Sequence, residues 1–118
     1  MKNMICTLVT ALLVASCVQE NKKQTVTLYV DVSGIKDIKT VGIRGNDKPF
    51  SWDNNIEMEV VKKDSLYKKT FEINTGRLCT EIKFTVNGDF ELKDKENRKI
   101  YFSDSKTTIF RAKFDVVK

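Results

Sequence analysis

Few side chains in this sequence are equipped for chemistry, and the residue type that is missing narrows the possibilities most. None of the 118 residues is His, which removes every His-dependent triad, every His-ligated zinc or haem site and the usual general base near neutral pH. The remaining Ser, Cys and Lys residues show no recognisable nucleophile arrangement. Paired carboxylates cleave glycosides only where a cleft holds two acids at a fixed separation around a bound sugar, which a domain this small rarely offers. Asp47, Asp53, Asn54, Asn55 and Glu57 gather oxygen atoms in a short span. Their spacing lacks the alternating ligands and central Gly of a calcium-binding loop, so no metal site and no cofactor are expected. The chain is therefore expected not to be an enzyme. Two stretches stand out instead. The loop Gly45 to Asp53 holds the only Pro, Pro49, and the only Trp, Trp52, and the run Ile82 to Phe90 is followed by the polar residues Lys93 to Arg98.

The elements that position these residues alternate with a period of two. Val26, Leu28, Val30 and Val32 recur at every second position until Ser33-Gly34, the pattern of a half-buried strand ending in a turn. Ile38 to Arg44 alternates through Val41 and Ile43, and Ile56, Met58 and Val60 interleave with Glu57 and Glu59. Tyr67, Phe71 and Ile73 share a face opposite Lys68, Thr70 and Glu72, and Ile82, Phe84 and Val86 oppose Glu81, Lys83 and Thr85. Asn87-Gly88 between alternating runs is a strong hairpin signal, because both residues tolerate positive φ, so Phe90 to Leu92 is expected to pair back. Lys99 to Phe102 and Thr107 to Val117 complete the set, the last with Phe110, Ala112, Phe114 and Val116 on one face. The pattern predicts an all-β fold, an immunoglobulin-like antiparallel β-sandwich of seven or eight strands, with a small barrel as the runner-up.

The first residues read as a targeting segment rather than as part of that fold. Lys2 precedes an apolar stretch from Ile5 to Ala15, too short for a spanning helix and ordered like a signal peptide. Val14-Ala15-Ser16-Cys17 resembles the bacterial lipobox, in which the Cys is acylated and becomes the first mature residue. The expected division is a lipoprotein signal peptide over 1–16, the lipidated Cys17 and a polar tether over 17–25, and the sandwich over 26–118. Acylation of Cys17 anchors a protein to a membrane without crossing it, so the expected location is the bacterial cell envelope, facing periplasm or exterior. Cys79 is then the only free thiol, and no internal disulfide can form. The 21 basic and 16 acidic residues are interspersed, as at Lys62-Lys63 and Lys68-Lys69, and read as solvated faces rather than a nucleic-acid surface.

Taken in order, the Trp52 loop, Ile82-Lys83-Phe84, the Asn87-Gly88 hairpin with Phe90, and Asn97-Arg98 resemble the starch-binding and glycogen-binding modules, small β-sandwiches that hold α-glucan chains. The resemblance covers roughly Val41 to Phe114. It implies that Trp52 is the first sugar-stacking aromatic, that Lys83 contacts the sugar, that Phe90 stands where the family carries a second Trp, and that Asn97 closes the polar stretch. Thr107 or Thr108 stands where the glycogen-binding branch has Asn. An aromatic ring covers the C–H face of a glucose unit while amide and ammonium donors bind its hydroxyls, and two angled rings suit a curved glucan. Phe90 in place of Trp reduces stacking area and removes a donor, which implies weak affinity or a different ligand.

The reading that follows is a lipid-anchored, non-catalytic envelope protein whose partners are an α-glucan or related glycan and, through Cys17, a membrane. The competing reading is an accessory envelope lipoprotein that binds another envelope protein through a strand edge or apolar patch. Exposure separates them: sugar binding requires Trp52 and Phe90 open on one face, and the protein-binding reading requires them buried.

Overall fold

The computed structural model describes residues 21–117. Among these described residues, nine strands build two facing sheets: β1 (Lys22–Asp31), β2 (Val41–Gly45), β3 (Ile56–Glu57), β4 (Glu59–Lys62), β5 (Leu66–Thr75), β6 (Cys79–Val86), β7 (Asp89–Phe90), β8 (Arg98–Tyr101) and β9 (Thr107–Lys113). One sheet runs β4-β5-β1-β9 and the other β3-β2-β6-β7, with β8 also pairing β6. This is the all-β, immunoglobulin-like sandwich that the alternation predicts. The targeting segment 1–16, Cys17 and the start of the tether lie outside the described residues.

Alternation sets the core. In β1, Val26, Leu28 and Val30 are fully buried while Thr27, Tyr29 and Asp31 face outward. A slip of one residue would carry all three apolar side chains to solvent, at roughly 1.5–3 kcal/mol each. Ile43 on β2, Phe71 and Ile73 on β5, Ile82 and Phe84 on β6 and Ile100 on β8 complete the interface between the sheets. At the end of β1, the Ser33 amide donates to the Asp31 carboxylate. Its hydrogen bonds with Ser33 hold the Asp31 carboxyl below its ordinary value.

Four details depart from the expected layout, each for a local reason. β1 begins at Lys22 rather than at 26, because Lys22 to Thr25 pair with Thr75 to Glu72 of β5 and the Gln24 side chain is buried. The expected strand over Ile56 to Val60 is two strands in different sheets. Ile56 and Glu57 pair with β2, Met58 turns inward and donates its amide to the Val41 carbonyl, and Glu59 and Val60 pair with β5. Nine strands therefore stand where seven or eight are expected. β9 runs parallel to β1, the one parallel pairing among the described residues, where every other pairing is antiparallel. Finally, β9 stops at Lys113: Phe114 and its neighbours Phe110 and Ala112 pack on the core, but Asp115 adopts φ 65° and Val116 is exposed.

Candidate functional site

The loop between β2 and β3 is anchored from within. Phe50 is 3% exposed and stands edge-on to Phe71 with ring centroids 4.5 Å apart. Its amide closes a turn onto the Asp47 carbonyl. The loop must enter this anchor across a tight approach. A Cβ on Gly45 would lie 2.8 Å from the Glu81 carbonyl oxygen and 2.9 Å from the Ile82 side chain, so only Gly fits there. With Phe50 inside, Trp52 is carried to the outer side, where its indole N–H donates to the Asn46 side chain and the ring is half-exposed.

The second aromatic comes from the hairpin. Asn87 and Gly88 take φ 53° and 84°, and the Asn87 side chain secures the turn by accepting from the Lys39 and Thr40 amides. Phe90 pairs with Thr85, so its ring lies on the outward side of β6 with Lys83 and Thr85. The expected strand Phe90 to Leu92 stops at Phe90. Leu92 turns to φ 51° and is buried, leaving Phe90 half-exposed on the opposite side of the chain.

Trp52 and Phe90 stand with ring centroids 6.3 Å apart and planes at 47°. Lys83, Lys93, Asp94 and Asn97 line the same open concavity of about 420 Å³. The structure thus brings Trp52, Lys83, Phe90 and Asn97 together on one face. The Lys83 ammonium donates to the Leu92 carbonyl at 3.0 Å and the Lys95 carbonyl at 3.1 Å, which ties down the wall of the site and leaves one of its three donors for a ligand. Asn97 donates weakly to Glu81 at 3.4 Å. Thr107 and Thr108 lie apart, on β9. Thr108 is buried and accepts from the Ser103 amide, so neither takes the place of a sugar-binding Asn in this concavity.

Arg44 is a part of the site that the sequence pattern did not single out. It faces Lys83 across the β2–β6 pair. Its Nη1 donates to the Trp52 carbonyl at 2.7 Å, its Nε donates to Asn55 at 2.9 Å, and its guanidinium lies 4.9 Å from the Phe90 ring centroid. One cation thereby touches both aromatic elements. Asn55, whose side-chain oxygen also accepts from Thr85, serves this arrangement rather than a cation site. The only signal for Arg44 was its outward phase on β2.

A buried ion pair supports the wall. The Glu91 carboxylate accepts from Arg98 Nε at 2.6 Å, Arg98 Nη2 at 2.7 Å, the Phe84 amide at 2.9 Å and the Asp115 amide at 3.0 Å. Arg98 Nη2 also donates to the Lys113 and Val116 carbonyls. Arg98 is 7% exposed, so it is structural, and Asn97 alone of that dipeptide reaches the concavity.

No family profile and no curated protein matches the chain. Several solved structures resemble it, among them the two that follow. Part of the gamma-CGTase of alkalophilic Bacillus clarkii superposes with a TM-score of 0.56 at 19% identity, covering 80% of this chain and 15% of the enzyme. The module CBM25-2 of the β/α-amylase from Paenibacillus polymyxa superposes with a TM-score of 0.48 at 18% identity, covering 70% of this chain and 77% of the module. The chain therefore spans a small part of the first protein's length. At such identities the likeness is one of fold.

Proposed function

We propose that the protein is a non-catalytic binding module that holds an α-glucan or related glycan on the Trp52–Phe90 face, and that it is anchored in the bacterial cell envelope through acylated Cys17. The observation that carries the reading is the pair of half-exposed rings, 6.3 Å apart and inclined at 47°, over a concavity that Lys83 and Asn97 also line. Two inclined apolar surfaces cradle a bent chain of sugar rings better than a flat ribbon, which favours α-linked over β-linked glucan. Phe90 offers less area than Trp and no N–H donor, so the expected affinity is modest. A protein-binding role that needs both rings in the core is not favoured by this geometry. The likeness in fold to part of an enzyme named a gamma-CGTase fits the reading without establishing a ligand.

The test is intrinsic fluorescence, for which Trp52 is the sole Trp reporter. Titration with maltoheptaose is expected to give a saturable change, and cello-oligosaccharide none. Trp52→Ala, checked for folding by circular dichroism, is expected to lose binding in a calorimetric titration. An unresponsive signal in the parent protein, with calorimetry also silent, would refute the proposal. The anchor is tested separately, by metabolic labelling with a palmitate analogue that Cys17→Ser abolishes.

A further inference from the structure

A second concavity of about 440 Å³ lies at the edge of the sandwich where β1 begins, and shares no residue with the Trp52 site. Its walls include Lys22, Arg77 and Lys106, with Asp104 as the single acid. The fold brings these cations together from three segments. Lys22 pairs with Thr75, the Arg77 amide donates to the Thr75 hydroxyl, and the Lys106 carbonyl accepts from the Thr25 amide. None of the three cations enters an ion pair among the described residues, where the pairs are Lys23–Glu72, Lys69–Glu59 and Arg98–Glu91. Gln24 also lines the concavity. It is 7% exposed, and its side-chain oxygen has no hydrogen-bond partner.

A buried polar group is normally satisfied, so an orphaned acceptor in a concavity calls for a donor from outside. Three unpaired cations beside it call for an anion, and Arg77 suits a phosphate because its planar fork gives two parallel donors. We propose that this concavity binds a phosphorylated polyol, the cations taking the phosphate and the Gln24 oxygen accepting from a hydroxyl. Two sources carry that chemistry: a soluble ester such as glycerol phosphate or a sugar phosphate, and the glycerophosphate headgroup of an anionic lipid. The site stands independently of glycan binding at Trp52.

The experiment uses the full chain carrying Cys17→Ser, so that no acyl group contributes, and follows amide resonances by NMR. Titration with glycerol 3-phosphate at constant ionic strength is expected to shift the Gln24 side-chain amide and the Arg77 and Lys106 backbone amides saturably. Inorganic phosphate is expected to bind more weakly, because it brings no polyol hydroxyl. Arg77→Gln, at an exposed position that folding does not need, should weaken binding by about tenfold, the worth of one charge-assisted contact, and Trp52→Ala should leave it unchanged. Gln24→Leu should remove the preference for the ester over inorganic phosphate. A response confined to vesicles containing phosphatidylglycerol, absent with phosphatidylcholine and reduced by Arg77→Gln, supports the site with the lipid as its source. Failure to respond saturably both to glycerol 3-phosphate and to phosphatidylglycerol vesicles, or a saturable response that Arg77→Gln does not change, overturns the proposal.

Discussion

Replacing Glu91 by Gln keeps the side-chain shape and removes one charge from the interior. The parent carboxylate accepts four hydrogen bonds, two from Arg98 and one each from the Phe84 and Asp115 amides. Gln has a single acceptor oxygen, and its amide N–H groups oppose the donors on the other side. At least one buried N–H and the Arg98 guanidinium then lose their partner. Removing one member of a buried pair typically costs about 3–5 kcal/mol, a large share of the roughly 5–15 kcal/mol that stabilises a domain of this size. With a urea dependence of about 1.5 kcal/mol per molar, the unfolding midpoint should fall by roughly 2–3 M. Urea titration followed by Trp52 emission reads this directly. A loss below about 1 kcal/mol would refute the reasoning, since it would mean the pair is solvated or dispensable. Glu91→Leu combined with Arg98→Met should cost less than Glu91→Gln alone, because no unpaired charge remains buried.

The other predictions concern the site and its frame. Gly45→Ala should destabilise by about 1–3 kcal/mol in the same titration, because the added methyl meets the Glu81 carbonyl at 2.8 Å and well-packed surroundings yield little. Arg44→Met keeps the apolar stem but removes the donors to Trp52 and Asn55 and the cation at Phe90. It should weaken maltoheptaose binding by roughly three- to tenfold, on the order of one cation–π or hydrogen-bond contribution, with circular dichroism unchanged. The Asp31 carboxyl, held below its ordinary value of 3.8 by its hydrogen bonds with Ser33, adds stability above that value and loses it as pH falls through the lower folded-state value. The difference in urea midpoint between parent and Asp31→Asn should therefore be present at neutral pH and shrink toward strongly acidic pH; a difference that grows on acidification would contradict the assignment.

The two sheets were legible because alternation is a local property. Val26, Leu28 and Val30 on β1 and Ile82, Phe84 and Val86 on β6 face the core as their spacing requires. The hairpin was legible because Asn87-Gly88 meets a backbone demand that few dipeptides meet. Trp52, Lys83, Phe90 and Asn97, singled out from three separate stretches of sequence, line one concavity. The misses share a cause: alternation does not say which sheet a strand joins or when a chain leaves the ladder. Met58 continues the phase of its segment while the chain crosses between sheets. Glu91 is buried where alternation of Phe90 with Leu92 would turn it to solvent, and only the approach of Arg98 from β8 makes that position tenable. Arg44 looked like any outward lysine or arginine, because its contacts depend on how the loop carrying Trp52 and Asn55 folds back over β2 and on Phe90, 46 residues further on, and alternation reports neither.

Glu91 also explains why the concavity has a wall. β6 pairs with β8 up to Ile82 and with β7 from Thr85 onward, which leaves the Phe84 amide in the gap between the two short strands. An unbroken hairpin would fill that gap with main chain, and residues 91–97 would lie flat along the sheet. The Glu91 carboxylate instead takes the Phe84 amide, and the chain turns away at Leu92 and Asp94 with φ 51° and 62°. The departing loop brings Lys93, Asp94 and Asn97 to the rim of the site, and Lys83 binds its Leu92 and Lys95 carbonyls. The buried pair therefore acts as a hinge pin for the wall beside Phe90. If so, Glu91→Gln should weaken maltoheptaose binding even at temperatures where the variant is fully folded, whereas Gly45→Ala, which strains the opposite side of the site, should act chiefly through Trp52.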